Sequence, residues 1–446
     1  MEALGMILVD QALARREDEG KPIRVGVVGT GFQGAGIVRQ IAQGIKGMRV
    51  VAVANRHIAA ALRSVTDLGI EPLLCETPDQ IARAISAGRV AATRDGEALA
   101  TADGIDVVVE VTGSVEYAAR VVLAAITAGK HVVQMNAELD GTVGPLLRSK
   151  AEAAGTIYTF CDGDQPGVQM NLFRFVRGIG ATPVMCGNIK GLHDPYRNPE
   201  TQRAFAERWG QKPAMVASFA DGTKISFEQA IVANGTGFRV ARRGMMGPDF
   251  SNGDPTAPLV ALEDTLPSLA EILDKEGHGL VDYVVGARPG PGVFVVATHH
   301  DPRQRHFLNL YKLGPGPYYL FQTPYHLCHF EVPNSIARAC LFSDSVLAPE
   351  GGPKVGVVAV AKKDLRPGDV ITEFGGFEAY GMAENYSVIE RNRLLPMGIA
   401  LQGVVTRPVR KDSVLTYEDV VLPRERLIDA LYAQQSRRFA PRSMAA

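Results

Sequence analysis

Ile23-Arg-Val-Gly-Val-Val-Gly-Thr-Gly-Phe-Gln-Gly34 is the stretch on which the reading of the fold turns. Six residues dominated by valine and isoleucine read as a strand buried on both faces, and G-x-G-x-x-G follows with no spacer. That glycine pattern is weak alone. Directly after a strand and at the start of a helix it becomes specific for a dinucleotide-binding turn. Gly29 permits the tight turn, Gly31 lets a ligand approach the backbone, and Gly34 lets the helix lie close to the sheet. The free N–H groups and positive end of the helix then suit a pyrophosphate. The candidate cofactor-binding residues here are Gly29, Thr30, Gly31, Phe32, Gln33 and Gly34, and the bland alternative is a glycine-rich turn that binds nothing.

Outward from this stretch, short β-branched runs at residues 50–53, 106–111, 131–133 and 156–160 alternate with alanine-rich helical segments. Strands of that kind with helical crossovers predict an α/β fold, a doubly wound parallel Rossmann sheet over residues 1–162. From 163 to 348 the chain is richer in Pro, Gly, aromatics and histidines, which reads as an α+β substrate domain. After the breaker Pro349-Glu-Gly-Gly-Pro353, residues 349–446 read as a small β-rich C-terminal module, with a frayed basic tail after Gln434. The opening run from Met1 to Asp10 reads as a docking helix, since no basic region precedes it.

A chain of 446 residues exceeds one ordinary core, so two or three domains are expected. The 47 basic and 48 acidic side chains are spread evenly, which excludes the electrostatic footprint of a nucleic-acid or anionic-membrane binder. No stretch reaches the roughly 18 to 20 apolar residues of a membrane span. Five cysteines without a C-x-x-C pair argue against a disulfide framework and a structural zinc, and fit a reducing, cytoplasmic setting. Small-molecule partners and a homo-oligomer, dimer or tetramer, are expected.

Where dinucleotide enzymes specific for NAD place an acid after the second strand, this chain has Asn55-Arg56. A guanidinium accepts a 2′-phosphate that an acid repels, so NADPH is the expected cofactor. Thr112-Gly113, after the fourth strand, offers a small loop for the nicotinamide. Asn136 ends the fifth strand, where its amide could orient the ring or the substrate carbonyl. Hydride transfer needs a cation or donor at the developing alkoxide and a source of a proton. Lys190, in Gly187-Asn-Ile-Lys-Gly-Leu-His-Asp194, and Lys224 are candidates for that role, with His193 beside the first and Asn188 within the same run; a solvated turn is the alternative. Asp162 and Asp164, spaced i, i+2 in a Gly-containing loop, could hold Mg²⁺ or Mn²⁺, or could form an Asx-type turn. Arg242-Arg243 reads either as an anion site or as a solvated basic pair. Tyr318, Tyr325 and His326 are candidate substrate contacts. Zinc at His326, His329 and Glu331 is rejected as the leading view because the flanks are Pro-bounded, and His299 and His300 read as structural or surface residues.

These residues bring known families into view. The Rossmann pattern, Val132-Val-Gln-Met-Asn136 and Gly187-Asn-Ile-Lys-Gly191 resemble homoserine dehydrogenase, and Asp221 and Lys224 are similar to that family's catalytic Asp and Lys. The chain departs from it in having Ala137 where the family has Lys, and in its Arg242-Arg243 pair. Ala361-Lys-Lys-Asp-Leu-Arg-Pro-Gly-Asp369, Leu395-Pro-Met-Gly398 and Arg410-Lys-Asp-Ser-Val-Leu-Thr416 resemble an SAF-type module. Asp162-Gly-Asp-Gln-Pro-Gly167 and Pro324-Tyr-His-Leu-Cys-His329 resemble the 1-deoxy-D-xylulose 5-phosphate reductoisomerase-like proteins. That resemblance implies NADPH, a divalent metal, a phosphorylated sugar substrate and its conversion to 2-C-methyl-D-erythritol 4-phosphate in isoprenoid precursor synthesis. A homoserine dehydrogenase-like oxidoreductase is the second reading, and an NADP-binding sensor the third; the cluster of Lys190, His193 and Lys224 favours an enzyme.

Overall fold

The computed structural model describes residues 9–254 and 256–440. Met1 to Leu8, most of the opening apolar run, and the last six residues lie outside them. The chain divides into two compact units.

The first unit comprises the residues up to Leu139, Leu146–Asp164 and Leu327–Ala348. Its sheet contains β1 (Ile23–Val28), β2 (Met48–Ala54), β3 (Leu73–Leu74), β4 (Ala91–Thr93), β5 (Val107–Glu110), β6 (His131–Gln134) and β7 (Tyr158–Phe160). The order is β3-β4-β2-β1-β5-β6-β7 and every pair is parallel. The order reverses between β1 and β5, where doubly wound sheets bind ligands at the carboxyl ends of their strands. Val25, Val27, Val107, Val108, Val109, Val132 and Val133 have no exposed surface, as strands covered on both faces require.

The second unit comprises residues 140–145, Gln165–His326 and the chain from Pro349 onward. Its main sheet is mixed. β8 (Thr182–Lys190) pairs parallel with β10 (Leu280–Val285) and antiparallel with β12 (Gly292–Thr298), which pairs antiparallel with β13 (Tyr318–Thr323). Short strands β9 (Val260–Ala261) and β11 (Ala287–Arg288) pair beside it. The later part supplies β14 (Val355–Ala361) with β15 (Ala379–Asn385), and β16 (Val404–Val405) with β17 (Val420–Val421). The helix Thr223–Thr236 is buried almost all round, Lys224 being its one partly exposed residue before Thr236. It is covered by β14 and β15 on one side and by β8, β10 and the helix Gln165–Gly178 on others. A helix with no solvent face needs such a complete wrapping.

Two boundaries differ from those read in the sequence. Residues 349–446 do not separate from residues 165–326, because β14 and β15 supply part of that wrapping. Leu327–Ala348 falls in the Rossmann unit, where the helix Cys328–Phe342 packs on the helix Phe32–Gly44. The tail also differs: the helix Leu427–Arg438 continues past Gln434, with Ile428, Leu431, Tyr432 and Gln435 buried along one face.

Candidate functional site

In the dinucleotide turn, the backbone does most of the work. Gly29 has φ +103°, and a Cβ there would lie 2.7 Å from the Val111 carbonyl, so no other residue fits. A Cβ on Gly34 would meet the Gly29 carbonyl at 2.0 Å. Gly31 has open space around its Cβ position instead, and it precedes the helix Phe32–Gly44 without side-chain capping. That exposed helix start, with N–H groups and the dipole directed outward, fits a pyrophosphate. Thr30 is buried and accepts a hydrogen bond from Asn55 Nδ2 at 3.2 Å, Phe32 is 54% exposed, and Arg56 is exposed just beyond the end of β2. Gln33 Oε1 lies 3.2 Å from His329 Nδ1, and the His329 ring leaves no room for a side chain at Gly36. The sequence reading treated His329 only as an unconvincing zinc ligand.

The loops after β5 and β6 are tied together. Thr112 N–H donates to Glu110 Oε1 at 2.7 Å, and Asn136 Nδ2 donates to the Ser114 carbonyl at 3.2 Å. Asn136 Oδ1 caps the following helix by accepting from Leu139 N–H at 3.1 Å. Its amide therefore organises these loops, a different task from the outward-facing one read in the sequence. Gly113 has φ +67°, as the loop demands.

In the acidic loop, Asp162 is turned into the protein. Asp162 is 1% exposed; its backbone N–H donates to Ser335 Oγ at 2.6 Å, and its Oδ2 accepts from the same hydroxyl at 2.9 Å. Its other oxygen is 3.8 Å from Arg338 Nη1. Asp164 is also buried. A carboxylate committed as Asp162 is does not fit the hydrated, open coordination of Mg²⁺, and Asp162 instead fastens the helix Cys328–Phe342 to the Rossmann unit. The spacing suggested a ligand pair because Ser335, 173 residues away, gives no local signal.

Within the second unit, the structure brings together Lys190, His193 and the start of the Lys224 helix. Lys190 closes β8. His193 Nε2 would lie 2.6 Å from a Cβ on Gly222, so the glycine at the helix N-cap lets the imidazole approach. Burial and the nearby Lys190 charge lower the His193 pKa, leaving the ring neutral at pH 7 and suited to act as a base. Tyr283 lies against it with ring centres 5.2 Å apart.

Lys224 Nζ is 4.0 Å from Glu228 Oε1, one helical turn on. Glu228 Oε2 in turn accepts from Asn188 Nδ2 at 2.8 Å. Asn188 also donates to Gln165 Oε1 at 2.9 Å, and its Oδ1 accepts from Gln169 and Gln229. Asn188 has no exposed surface, so it anchors this network and does not itself contact a substrate. Glu228 escaped the sequence reading, although the i, i+4 spacing from Lys224 was visible.

Asp221 has a different place from its expected one. It is fully buried, and its Oδ2 receives Lys362 Nζ at 2.8 Å; the same ammonium donates to the carbonyls of Arg197 and Gly376 at 2.7 and 2.8 Å. Burial raises the Asp221 pKa, while the Lys362 charge opposes the rise. The pair fastens the loop before the Lys224 helix to the C-terminal segment. Arg242 and Arg243 are also engaged by protein. Arg242 donates to the carbonyls of Met245 and Met246, and Arg243 Nε pairs with Glu384 Oε2 at 2.9 Å. They do not form one open anion site. Asp282 completes this loop, accepting from the amides of Met246 and Gly247 at 3.2 and 2.8 Å; burial pushes its pKa up to about 6. Tyr318 is occupied elsewhere, donating to Asp274 at 2.7 Å, while Tyr325 is 55% exposed and His326 partly buried.

Two family models match the chain. Residues 29–160 match the NAD binding domain of homoserine dehydrogenase, and residues 163–332 match the catalytic domain of oxidoreductase DRL. The chain is 33% identical over 138 residues to a homoserine dehydrogenase of Methylobacillus glycogenes, covering 30% of each chain. It is 47% identical over 62 residues, 14% of each chain, to that of Corynebacterium glutamicum. The matched segments thus span under a third of these relatives. Among solved structures, a probable dehydrogenase from Thermotoga maritima is similar at 12% identity, covering 71% of this chain and 86% of its own, with a TM-score of 0.39. The 1-deoxy-D-xylulose 5-phosphate reductoisomerase of Zymomonas mobilis with NADPH is similar at 18% identity, covering 46% and 57%, with a TM-score of 0.33. By the family models, residues 29–160 resemble the NAD binding domain of homoserine dehydrogenase and residues 163–332 an oxidoreductase catalytic domain.

Proposed function

We propose that the chain is an NADPH-dependent oxidoreductase of a small polyhydroxy carbonyl compound, and that its substrate is 1-deoxy-D-xylulose 5-phosphate. The observation that carries the reading is Lys224: it is the partly exposed residue of an otherwise buried helix, held by Glu228 and preceded by the His193–Gly222 contact. A carbonyl that accepts hydride from the nicotinamide becomes an alkoxide, and an ammonium beside it stabilises that charge and supplies the proton. Neutral His193 would take a hydroxyl proton in the preceding carbon shift, which converts the ketol to the aldehyde that is then reduced. Lys190 and Lys224 would polarise the carbonyl. The match of residues 163–332 to the catalytic domain of oxidoreductase DRL supports the oxidoreductase chemistry.

A second reading is reversible oxidation of an amino alcohol or sugar acid without rearrangement, as in a homoserine dehydrogenase. It is favoured by the match over residues 29–160 and by the commitment of Asp162 to Ser335 and Arg338. NADPH consumption with 1-deoxy-D-xylulose 5-phosphate, compared with aspartate semialdehyde in the reductive direction and homoserine with NADP⁺ in the other, separates the two. Turnover of the sugar phosphate alone upholds the first reading; turnover of the amino-acid pair alone replaces it with the second.

A further inference from the structure

One acidic side chain interrupts the apolar run Val107-Val-Val-Glu-Val111, and its place in the sheet is unusual. Glu110 ends β5 with no exposed surface, opposite Val28 of β1 and Gln134 of β6. Its Oε1 accepts the Thr112 N–H at 2.7 Å, and its Oε2 is buried without a hydrogen-bond partner. Gln134 repeats the pattern: its Oε1 accepts the Asn136 N–H at 2.9 Å while its Nε2 is buried and unpartnered. An orphaned buried carboxyl oxygen is costly. Such a group persists where it has work to do.

Its position says which work. The Thr112 amide held by Glu110 lies in the segment that packs on the dinucleotide turn, because a Cβ on Gly29 would meet Val111 C and O and Thr112 N at 2.7 to 2.8 Å. Asn136, whose backbone N–H is held by Gln134, secures Ser114 at the far end of the same loop. The segment after β5 that packs on the dinucleotide turn is therefore held at Thr112 by this carboxyl group. The charged and titratable groups facing it are Glu138, whose charge opposes its ionisation, and Tyr117 on the helix Val115–Thr127.

We propose that Glu110 is a positioning residue of the nicotinamide site, and that binding of oxidised cofactor is coupled to loss of a proton from its side chain. The inference rests on the reading that residues 29–160 bind NADP(H). The oxidised ring carries a positive charge and the reduced ring does not. In a low-dielectric site that charge favours the carboxylate, which is also the form that best holds the Thr112 donor. Burial, opposed by the Thr112 hydrogen bond, pushes the Glu110 pKa up to about 7, so the proton is available for release near neutrality.

Isothermal titration of the full chain with NADP⁺ and with NADPH, at pH 7 in two buffers of different ionisation enthalpy, measures the protons exchanged. The 2′-phosphate titrates near this pH, but it is common to both cofactors and cancels in the difference. NADP⁺ should release about 0.4 proton more than NADPH, and its affinity relative to NADPH should improve several-fold from pH 6 to pH 8. Glu110→Gln keeps the acceptor for Thr112 and should abolish both differences. Equal proton exchange for the two cofactors in the unmodified chain overturns the inference, whatever the variant does, as does a Glu110→Gln variant that keeps the difference. Absence of binding by either cofactor overturns the cofactor reading as well, so the two failures are told apart.

Discussion

The turn at Gly29–Gly34 and the network around Lys224 are built on opposite principles. The first is a matter of backbone. Its specificity lies in missing side chains, at Gly29 and Gly34 because a Cβ would strike main chain, and at Gly31 because open space is left for a ligand. The second is a matter of side chains drawn from distant segments: Gln165, Gln169, Asn188, Glu228 and Gln229 converge inside one unit, and Lys362 closes on Asp221 from 141 residues away. A site of the first kind is written in a dozen consecutive residues. A site of the second kind is written in none.

The largest effect that tests this contrast concerns Lys362. If the Lys362–Asp221 pair is a structural clasp, Lys362→Ala leaves a carboxylate buried without its cation and should lower the unfolding free energy by about 3 to 5 kcal/mol. Lys362→Met with Asp221→Asn should recover much of that loss. Denaturant unfolding checks both. A single variant of unchanged stability that lacks activity would return Asp221 to the catalytic role that resemblance gave it.

Next in size is Lys224→Ala, for which turnover should fall by about 10² or more, with NADPH affinity unchanged. Near-normal turnover in Lys224→Ala and in Lys190→Ala would displace the reaction centre from this unit. Glu228→Gln should be intermediate, since it keeps the Asn188 hydrogen bond and removes only the charge beside Lys224.

The same contrast explains what could be read in advance. The order of strand and helix up to β7, the glycine roles and the tethered loops after β5 and β6 rest on local patterns, so the Rossmann sheet was legible. Lys190, His193 and Lys224 were legible as residue types that suit proton transfer, and the structure sets His193 against Gly222 at the start of the Lys224 helix. The misread residues share one cause. Asp162, Asp221 and Arg243 were judged as open groups because Ser335, Lys362 and Glu384, their partners, are remote in sequence. The placement of residues 327–348 in the first unit was hidden for the same reason: nothing local in Cys328–Phe342 says that the helix Phe32–Gly44 is what it covers.

Gly31 and Gly34 sharpen the comparison within the turn itself. Gly31→Ala meets nothing in the protein, so the melting temperature should stay within about 2 °C, while NADPH affinity falls tenfold or more as the methyl occupies the ligand's approach. Gly34→Ala drives a methyl toward the Gly29 carbonyl and should lower both quantities. Equal melting temperatures for the two variants would mean that the turn can shift to accept a Cβ, contrary to a rigid backbone site.

The smallest effect falls on the one side chain assigned to the dinucleotide by charge. Arg56 is exposed just beyond the end of β2, and the neighbouring Asn55 is occupied by Thr30 and by the His57 amide, whose N–H it accepts at 2.9 Å. Discrimination between NADPH and NADH then depends on a guanidinium with an exposed setting, where a charge-assisted hydrogen bond is screened by solvent. Arg56→Ala should therefore weaken NADPH by about 1.5 kcal/mol, roughly tenfold, toward the lower end for hydrogen bonds to charged groups. NADH affinity should hardly move, and the NADPH loss should shrink at high salt. Fluorescence titration of both cofactors at low and high ionic strength reads all three quantities. Parallel weakening of NADPH and NADH would show that Arg56 shapes the turn instead of reading the 2′-phosphate, which would make this residue, too, part of the backbone-built site.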